Sequence, residues 1–181
     1  MKYKIIKISN EPIFSSIQDE GRYAFEQFGV PNSGAGDKLS YRIGNLLLGN
    51  VFNSASIEIL YGNTNFEFLN NTQICITGAD MNPKVNGIPV KMWEIINISK
   101  GDKLALEASA KNLRAYLSVK NGIELGSTLN SKSTHSIFDL GGMRPVSYTH
   151  LRAHETVLDI EWRLLLEKKR VVGGGGGGGG G

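Results

Sequence analysis

The sequence predicts a mainly β fold with one short helix, a barrel or sandwich and not a parallel α/β sheet. Three observations predict it. Short runs rich in β-branched and aromatic residues recur along the chain, separated by turn residues. Asn86-Gly87 and Asn121-Gly122 are pairs of the kind that close two-residue hairpins. Before residue 144 only one segment carries apolar residues at helical spacing, and no glycine-rich phosphate loop follows a strand and opens a helix.

Taken in order, Tyr3–Ile8 reads as a strand with Lys flanks, and Ile13–Ile17 extends it or forms a second. A long loop follows. Asp37 is placed as the N-cap of a helix in which Leu39, Ile43, Leu46 and Leu47 share one face, and Gly49 stops it. Strands are then expected over Ala55–Tyr61, Thr64–Leu69 and Thr72–Thr77, each bounded by Gly-Asn or Asn-Asn turns. Trp93–Ile98 and Lys103–Ala108 flank a Lys100-Gly101-Asp102 turn, and Arg114–Val119 completes the series.

Composition narrows the class. Hydrophobic residues make up 40% of the 181 and charged residues 20%, ordinary values for a soluble globular chain. A net charge of +3 with acids and bases interspersed argues against a nucleic-acid surface. The lone cysteine, Cys75, sits in the apolar run TQICITG and reads as a core residue, which fits a reducing compartment. The polar N-terminus resembles no signal peptide, and no apolar run reaches spanning length, so a cytoplasmic location is expected.

The loop Gln18–Asp37 (QDEGRYAFEQFGVPNSGAGD) is the most informative stretch. Gly21, Gly29, Gly34 and Gly36 punctuate it, Pro31 stiffens it, and polar groups fill the gaps. A loop of this length in a compact domain either binds something or packs on itself. Its order of residues resembles the signature of the family of 5-oxoprolinase C subunits, also called allophanate hydrolase subunit 2 or biotin-dependent carboxyltransferase-like. The resemblance continues in Arg42-Ile43-Gly44-Asn45, in Glu58 of IEILYGN, and in Thr77-Gly78-Ala79-Asp80. It also covers Arg114-Ala115-Tyr116-Leu117 and Ser131-Lys132-Ser133-Thr134. Departures are Gly36, where the family has Met, and Asn121, where it has Gly.

The resemblance implies a cyclophilin-like β-barrel, truncated, and a subunit of an ATP-dependent 5-oxoprolinase or a related carboxyltransferase or allophanate hydrolase-type complex. Family members are longer, so the chain is read as an N-terminal fragment, inactive alone. Partners implied are the A-type and B-type subunits of the 5-oxoprolinase complex, with ATP bound elsewhere in that complex. Biotin enters only if a separate carrier presents it, because Lys91-Met92 lacks the methionine that precedes an attachment lysine. The alternatives are a non-catalytic regulatory partner of the B-type subunit and a small-molecule-binding β domain.

Opening a lactam or carboxylating an amide needs donors around an oxygen and an anchor or base at the nitrogen. Arg22, Asp37 and Asp80 are the candidate catalytic residues: Arg22 as a fork for a carboxylate, the aspartates as N–H acceptors. Candidate substrate-binding residues are Gln18, Asp19, Ser33, Gly34, Thr77, Gly78, Arg114 and Tyr116. No metal site is expected. Structural roles stand beside these. Asp80 suits a turn cap, Arg22 a pair with Asp19 or Glu20, and Glu58 a buried hydrogen-bonded group. Arg114 and Tyr116 fall on one strand face and either pack or bind there. His135, a lone histidine, is not expected to be catalytic.

Near Arg144 the chain changes character. Lys outnumbers Arg eleven to four through residue 144; beyond it Arg exceeds Lys, three to two, and Asn disappears. Pro145–Thr156 resembles the translation of a short-read sequencing adapter, Arg163–Lys169 resembles translated primer read-through, and nine glycines close the chain. Residues 145–181 are therefore expected to be an artefactual tail and not a domain. Leu151, Leu158, Leu165 and Leu166 would give that tail a helical period, and His150, His154 and Glu155 a misleading ligand-like spacing.

Overall fold

The computed structural model describes residues 3–8, 15–138, 140–142 and 150–153. Two antiparallel sheets enclose one core. The first strand, β1 (Tyr3–Ile8), pairs with β4 (Thr64–Phe68), and β4 with β9 (Lys103–Leu106). The hairpin β6 (Lys84–Val85) and β7 (Ile88–Pro89) extends that sheet beyond β9, around Asn86-Gly87 as expected. On its other side β1 pairs with β12 (His150–Ala153), and β12 with β11 (Ile123–Glu124). The second sheet runs β2 (Ser15–Gln18), β3 (Ser56–Leu60), β10 (Arg114–Val119), β5 (Thr72–Gly78), β8 (Ile96–Ile98).

Strand alternation builds the core. Ile57 and Ile59 of β3, Ile74 and Ile76 of β5, and Ala115, Leu117 and Val119 of β10 point inward. They meet Ile6, Ile8, Phe66, Phe68, Leu104 and Leu106 of the other sheet, all buried. Cys75 lies on the opposite face of β5, also buried, and burial pushes its thiol up to about 11. The two sheets do not close into the expected barrel, although the mainly β class is as expected. Trp93–Ile95 is not strand: only Ile96–Ile98 pairs, and Trp93 has a left-handed backbone (φ 62°).

The single helix, α1 (Lys38–Leu47), starts where expected. The Asp37 carboxylate accepts from the Leu39 and Ser40 amides, both at 3.1 Å, which caps two otherwise unpaired donors. Its leucines point outward. Leu39, Leu46 and Leu47 are exposed, while Ser40, Tyr41, Gly44 and Asn45 are buried. The reason lies in the sheet beneath. The helix packs on β5 and β10, whose outer faces present Thr77, Tyr116 and Ser118, so it turns its polar side down to satisfy them. Thr77 donates to the Ser40 carbonyl (2.8 Å), and the Asn45 amide donates to Ser56 Oγ (3.0 Å). Gly44 permits the approach: a Cβ there would lie 2.9 Å from Ser118 Oγ.

His150–Ala153, within the stretch whose leucine period suggests a helix, is strand. Leu151 is buried in the core. This strand lies between β1 and β11 in the first sheet, with Leu151 at the inward position. His154, Glu155 and the remaining leucines lie outside the described residues. Among the described residues, no helix is long and apolar enough to cross a membrane.

Candidate active site

Period two on three paired strands places Glu58, Tyr116 and Thr77 side by side on the outer face of the second sheet. Arg114, two residues from Tyr116, joins that face, so the expectation that both share it holds. The N-terminus of α1 sits above the row. Tyr116 donates its hydroxyl proton to Glu58 Oε2 (2.7 Å) and accepts from the Asp37 amide (2.7 Å). The Gly36 amide donates to the same Glu58 oxygen (2.8 Å). Burial, with Glu58 beside it, raises the Tyr116 phenol well above its ordinary value. It therefore stays protonated and acts as a donor.

Beside this row a cleft of about 380 Å³ opens, lined by Asp37, Ser40, Gly78, Trp93, Asn112 and Arg114, among others. Its two charges differ in how they are held. The Asp37 carboxyl lies below its ordinary value because Ser40 Oγ (2.5 Å) and the Ser40 and Leu39 amides donate to it. A carboxylate so stabilised is a weak proton acceptor and a good anchor for an N–H. The Arg114 guanidinium approaches Glu58 Oε1 only to 3.6 Å, and its buried Nε has no hydrogen-bond partner among the described residues.

The other expected site residues divide between two places. Thr77 and Gly78 lie at or under this cleft. Gln18, Asp19, Arg22, Ser33 and Gly34 form a separate, closed cluster. There Asp19, fully buried, accepts from the Gly21 amide (2.8 Å), Ser131 Oγ (2.7 Å), Ser133 Oγ (2.5 Å) and the Lys132 amide (2.6 Å). Arg22, 1% exposed, donates to Ser33 Oγ (2.8 Å) and to the Ser133 carbonyl (2.5 Å). Burial pulls its guanidinium below the ordinary value while Asp19 opposes the shift. Glu20 is held by Arg42 through a two-pronged pair (2.7 and 2.8 Å), so Arg22 has neither a substrate-facing fork nor Glu20 as its partner. Gln18 donates to Ser16 and to the Thr134 carbonyl. Gly34 has φ +89°, and a Cβ there would meet the Glu20 carbonyl oxygen at 2.7 Å, so only glycine closes this loop.

Asp80 stands apart from both. It is exposed and accepts from the Asn82 amide (2.9 Å), the turn-capping role. His135 lies beside Phe138, outside the cleft. Ser40, Trp93 and Asn112 line the cleft without having been expected there. Asp37-x-x-Ser40 is a capping spacing that could have flagged the serine. Nothing local marks the other two, which arrive through hairpin and turn geometry.

The chain matches the model of the carboxyltransferase domain, subdomain A and B, over residues 28–160. It belongs to that family. Among curated relatives, the carboxyltransferase-domain chain is 34% identical over 129 residues to the 5-oxoprolinase C subunit of Haemophilus influenzae, covering 71% of this chain and 42% of the relative. The corresponding C subunit of the Escherichia coli 5-oxoprolinase is 31% identical over 139 residues, with 77% and 45% covered. A crystal structure of the K. lactis urea amidolyase superposes with a TM-score of 0.80 at 27% identity, covering 87% of this chain and 10% of that one. The chain thus spans less than half the length of the two curated 5-oxoprolinase relatives.

Proposed function

We propose that this carboxyltransferase-domain chain contributes the amide-handling cleft of an ATP-dependent 5-oxoprolinase or a related carboxyltransferase complex, working with A-type and B-type partner subunits. The observation that carries the reading is the cleft itself. An ionised, low-basicity Asp37, the partly exposed Arg114 side chain and Gly78 line it together. Asp37 would anchor a substrate N–H and Arg114 a carboxylate or a developing oxyanion. ATP would bind elsewhere in the complex, and biotin would take part only on a separate carrier. The test is ATP-dependent 5-oxoproline hydrolysis by the intact assembly. Arg114→Ala and Asp37→Ala should each abolish turnover; normal turnover in both would remove the cleft from the chemistry.

A second reading has one observation in its favour. The outward face of α1 exposes Leu39 (69%) and Leu46 (76%), and nearby Val51 and Phe52 are 79% and 74% exposed. Such a face suits a regulatory partner of the B-type subunit. Stable association with that protein in the absence of any turnover by the assembly would favour it.

Residues 145–181 are proposed to be foreign, on the change in composition at Arg144 and the adapter-like run. Long-read sequencing of the source DNA should replace them; recovery of the same tail would retire the proposal.

A further inference from the structure

We infer that Glu58 and Tyr116 are positioning residues, which seat Asp37 to receive a ligand N–H without touching the ligand themselves. The inference deepens the reading of the cleft above and rests on it. Tyr116 is fully buried and Glu58 is 7% exposed, and neither lines the cleft. Their polar atoms are committed instead to the turn before α1. The Asp37 amide donates to the Tyr116 oxygen, Tyr116 donates its proton to Glu58 Oε2, and the Gly36 amide donates to that same carboxylate oxygen. Two consecutive amides, the last before the helix, are thus tied to β10 and β3. Because the phenol accepts from the amide, its own proton is directed at the carboxylate, and each bond in such a chain strengthens the next.

What they position follows from the bonds of Asp37 itself. Its Oδ1 takes the Leu39 and Ser40 amides, and its Oδ2 takes Ser40 Oγ. A carboxylate has about four acceptor positions in all, so among the described residues Oδ2 keeps room for one more donor. Gly78 and Arg114, which also line the cleft, belong to β5 and β10 of the sheet below. Asp37 belongs to the layer above it. Its height over the sheet is set by the two tied amides and by Thr77, whose hydroxyl donates to the Ser40 carbonyl (2.8 Å). Without the phenol oxygen the Asp37 amide would face a bare ring, and the peptide would turn to find another acceptor. The aspartate would turn with it. Glu58 is needed here as an acceptor and not as a charge, since both of its close donors are neutral and Arg114 stays 3.6 Å away.

The experiment is calorimetric titration of the full chain with 5-oxoproline and with 5-oxotetrahydrofuran-2-carboxylate, the same ring with oxygen in place of the N–H. The wild-type chain should prefer the lactam roughly ten- to hundredfold, the range of one charge-assisted contact, and Asp37→Ala should lose that preference. Tyr116→Phe keeps the buried ring and removes only the hydroxyl. It should lower the ratio at least about threefold, toward the Asp37→Ala value, with lactone affinity unchanged. Glu58→Gln still offers an acceptor to Tyr116 and to the Gly36 amide and should keep the wild-type ratio, whereas Glu58→Ala should lose it. Equal weakening of both ligands in Tyr116→Phe would mark a general loss of structure and overturns the inference. If Asp37→Ala loses the preference while Tyr116→Phe retains it in full, the reading of the cleft stands and this inference alone falls. If the wild-type chain shows no preference, both fall. A lost ratio in Glu58→Gln overturns the assignment of Glu58 as a neutral-donor acceptor. Turnover by the assembly plays no part in the ratio, so its absence counts against the proposed reaction alone.

Discussion

Asp19 with Arg22, and Asp37 with Arg114, are the same pair of side-chain types in one chain, and the fold treats them oppositely. Around Asp19 both carboxylate oxygens are met. Two serine hydroxyls and two backbone amides donate to it, and Arg22 fastens Ser33 to the Ser133 segment with both ends of its fork. Around Arg114 the contacts stop short. The side chain is 40% exposed, and its nearest counter-charge is 3.6 Å away. Arg22 keeps two close hydrogen bonds and leaves only its buried Nε without one, whereas Arg114 makes none and is partly exposed to the cleft. The lesson is that polar density in the sequence marks both kinds of place, and exposure together with the number of close contacts separates them.

The comparison breaks most visibly at Asp19. Asp19→Ala would leave two hydroxyls and two amides without their acceptor, and the Arg22 charge without its counter-charge, in the interior. The expected loss is at least about 3 kcal/mol of unfolding free energy, read from the urea midpoint at constant slope. Arg22→Ala should follow closely, since it frees the Ser133 carbonyl and opens a large void. A variant of either residue that keeps wild-type stability would make the closed cluster a binding site after all.

How far the sequence foretold this division can be read residue by residue. Asn-Gly turns and alternating strands gave away the β class, and Asp37 its cap, because both signals are local. Which side of the helix is buried is not a local signal. Leu39 and Leu46 obey the rule for a buried stripe, yet the neighbouring sheet offers Thr77, Tyr116 and Ser118, and hydrogen bonding to them decided which side turned down. Arg22 looked like the ligand fork because it sits in the long loop. Its true partners, Ser33 and Ser133, include one more than a hundred residues away, and nothing local announces such a contact. Arg114 and Tyr116 were placed on one face by period alone, and the strand pairing keeps them there.

The open pair should respond to mutation in the opposite sense. Arg114→Ala is expected to change stability by less than about 0.5 kcal/mol, because the guanidinium makes no close hydrogen bond. The same change should weaken carboxylate binding roughly ten- to hundredfold. Arg114→Lys keeps the charge without the fork and should fall between the two. Thermal unfolding and calorimetric titration of one set of variants would separate the effects. A large stability loss in Arg114→Ala would show that Glu58 depends on it and that the cleft is closed in the manner of the Asp19 cluster.

The smallest effect, and the sharpest test of the open side, is the pH response of Asp37. Ser40 and the first helical amides hold its carboxyl below the ordinary value of 3.8. A carboxyl depressed in the folded state stabilises that state at every pH above its unfolded value. That contribution disappears as pH falls through the lower, folded value. Asp37 is exposed, so solvent screening limits the gain to about 0.3–1 kcal/mol. Asp37→Asn removes the titration while keeping a side-chain oxygen to cap α1, and Asn caps nearly as well as Asp. The wild-type chain should therefore exceed Asp37→Asn slightly in thermal midpoint at pH 7, and the two should converge as pH falls through the depressed folded-state value. Asp37→Ala should be worse than both at pH 7 by about 1 kcal/mol, the ordinary value of a lost cap. If wild type and Asp37→Asn keep a constant gap down to about pH 2, the carboxyl is not the depressed group. Asp37 would then have no claim to be the anionic anchor of the cleft.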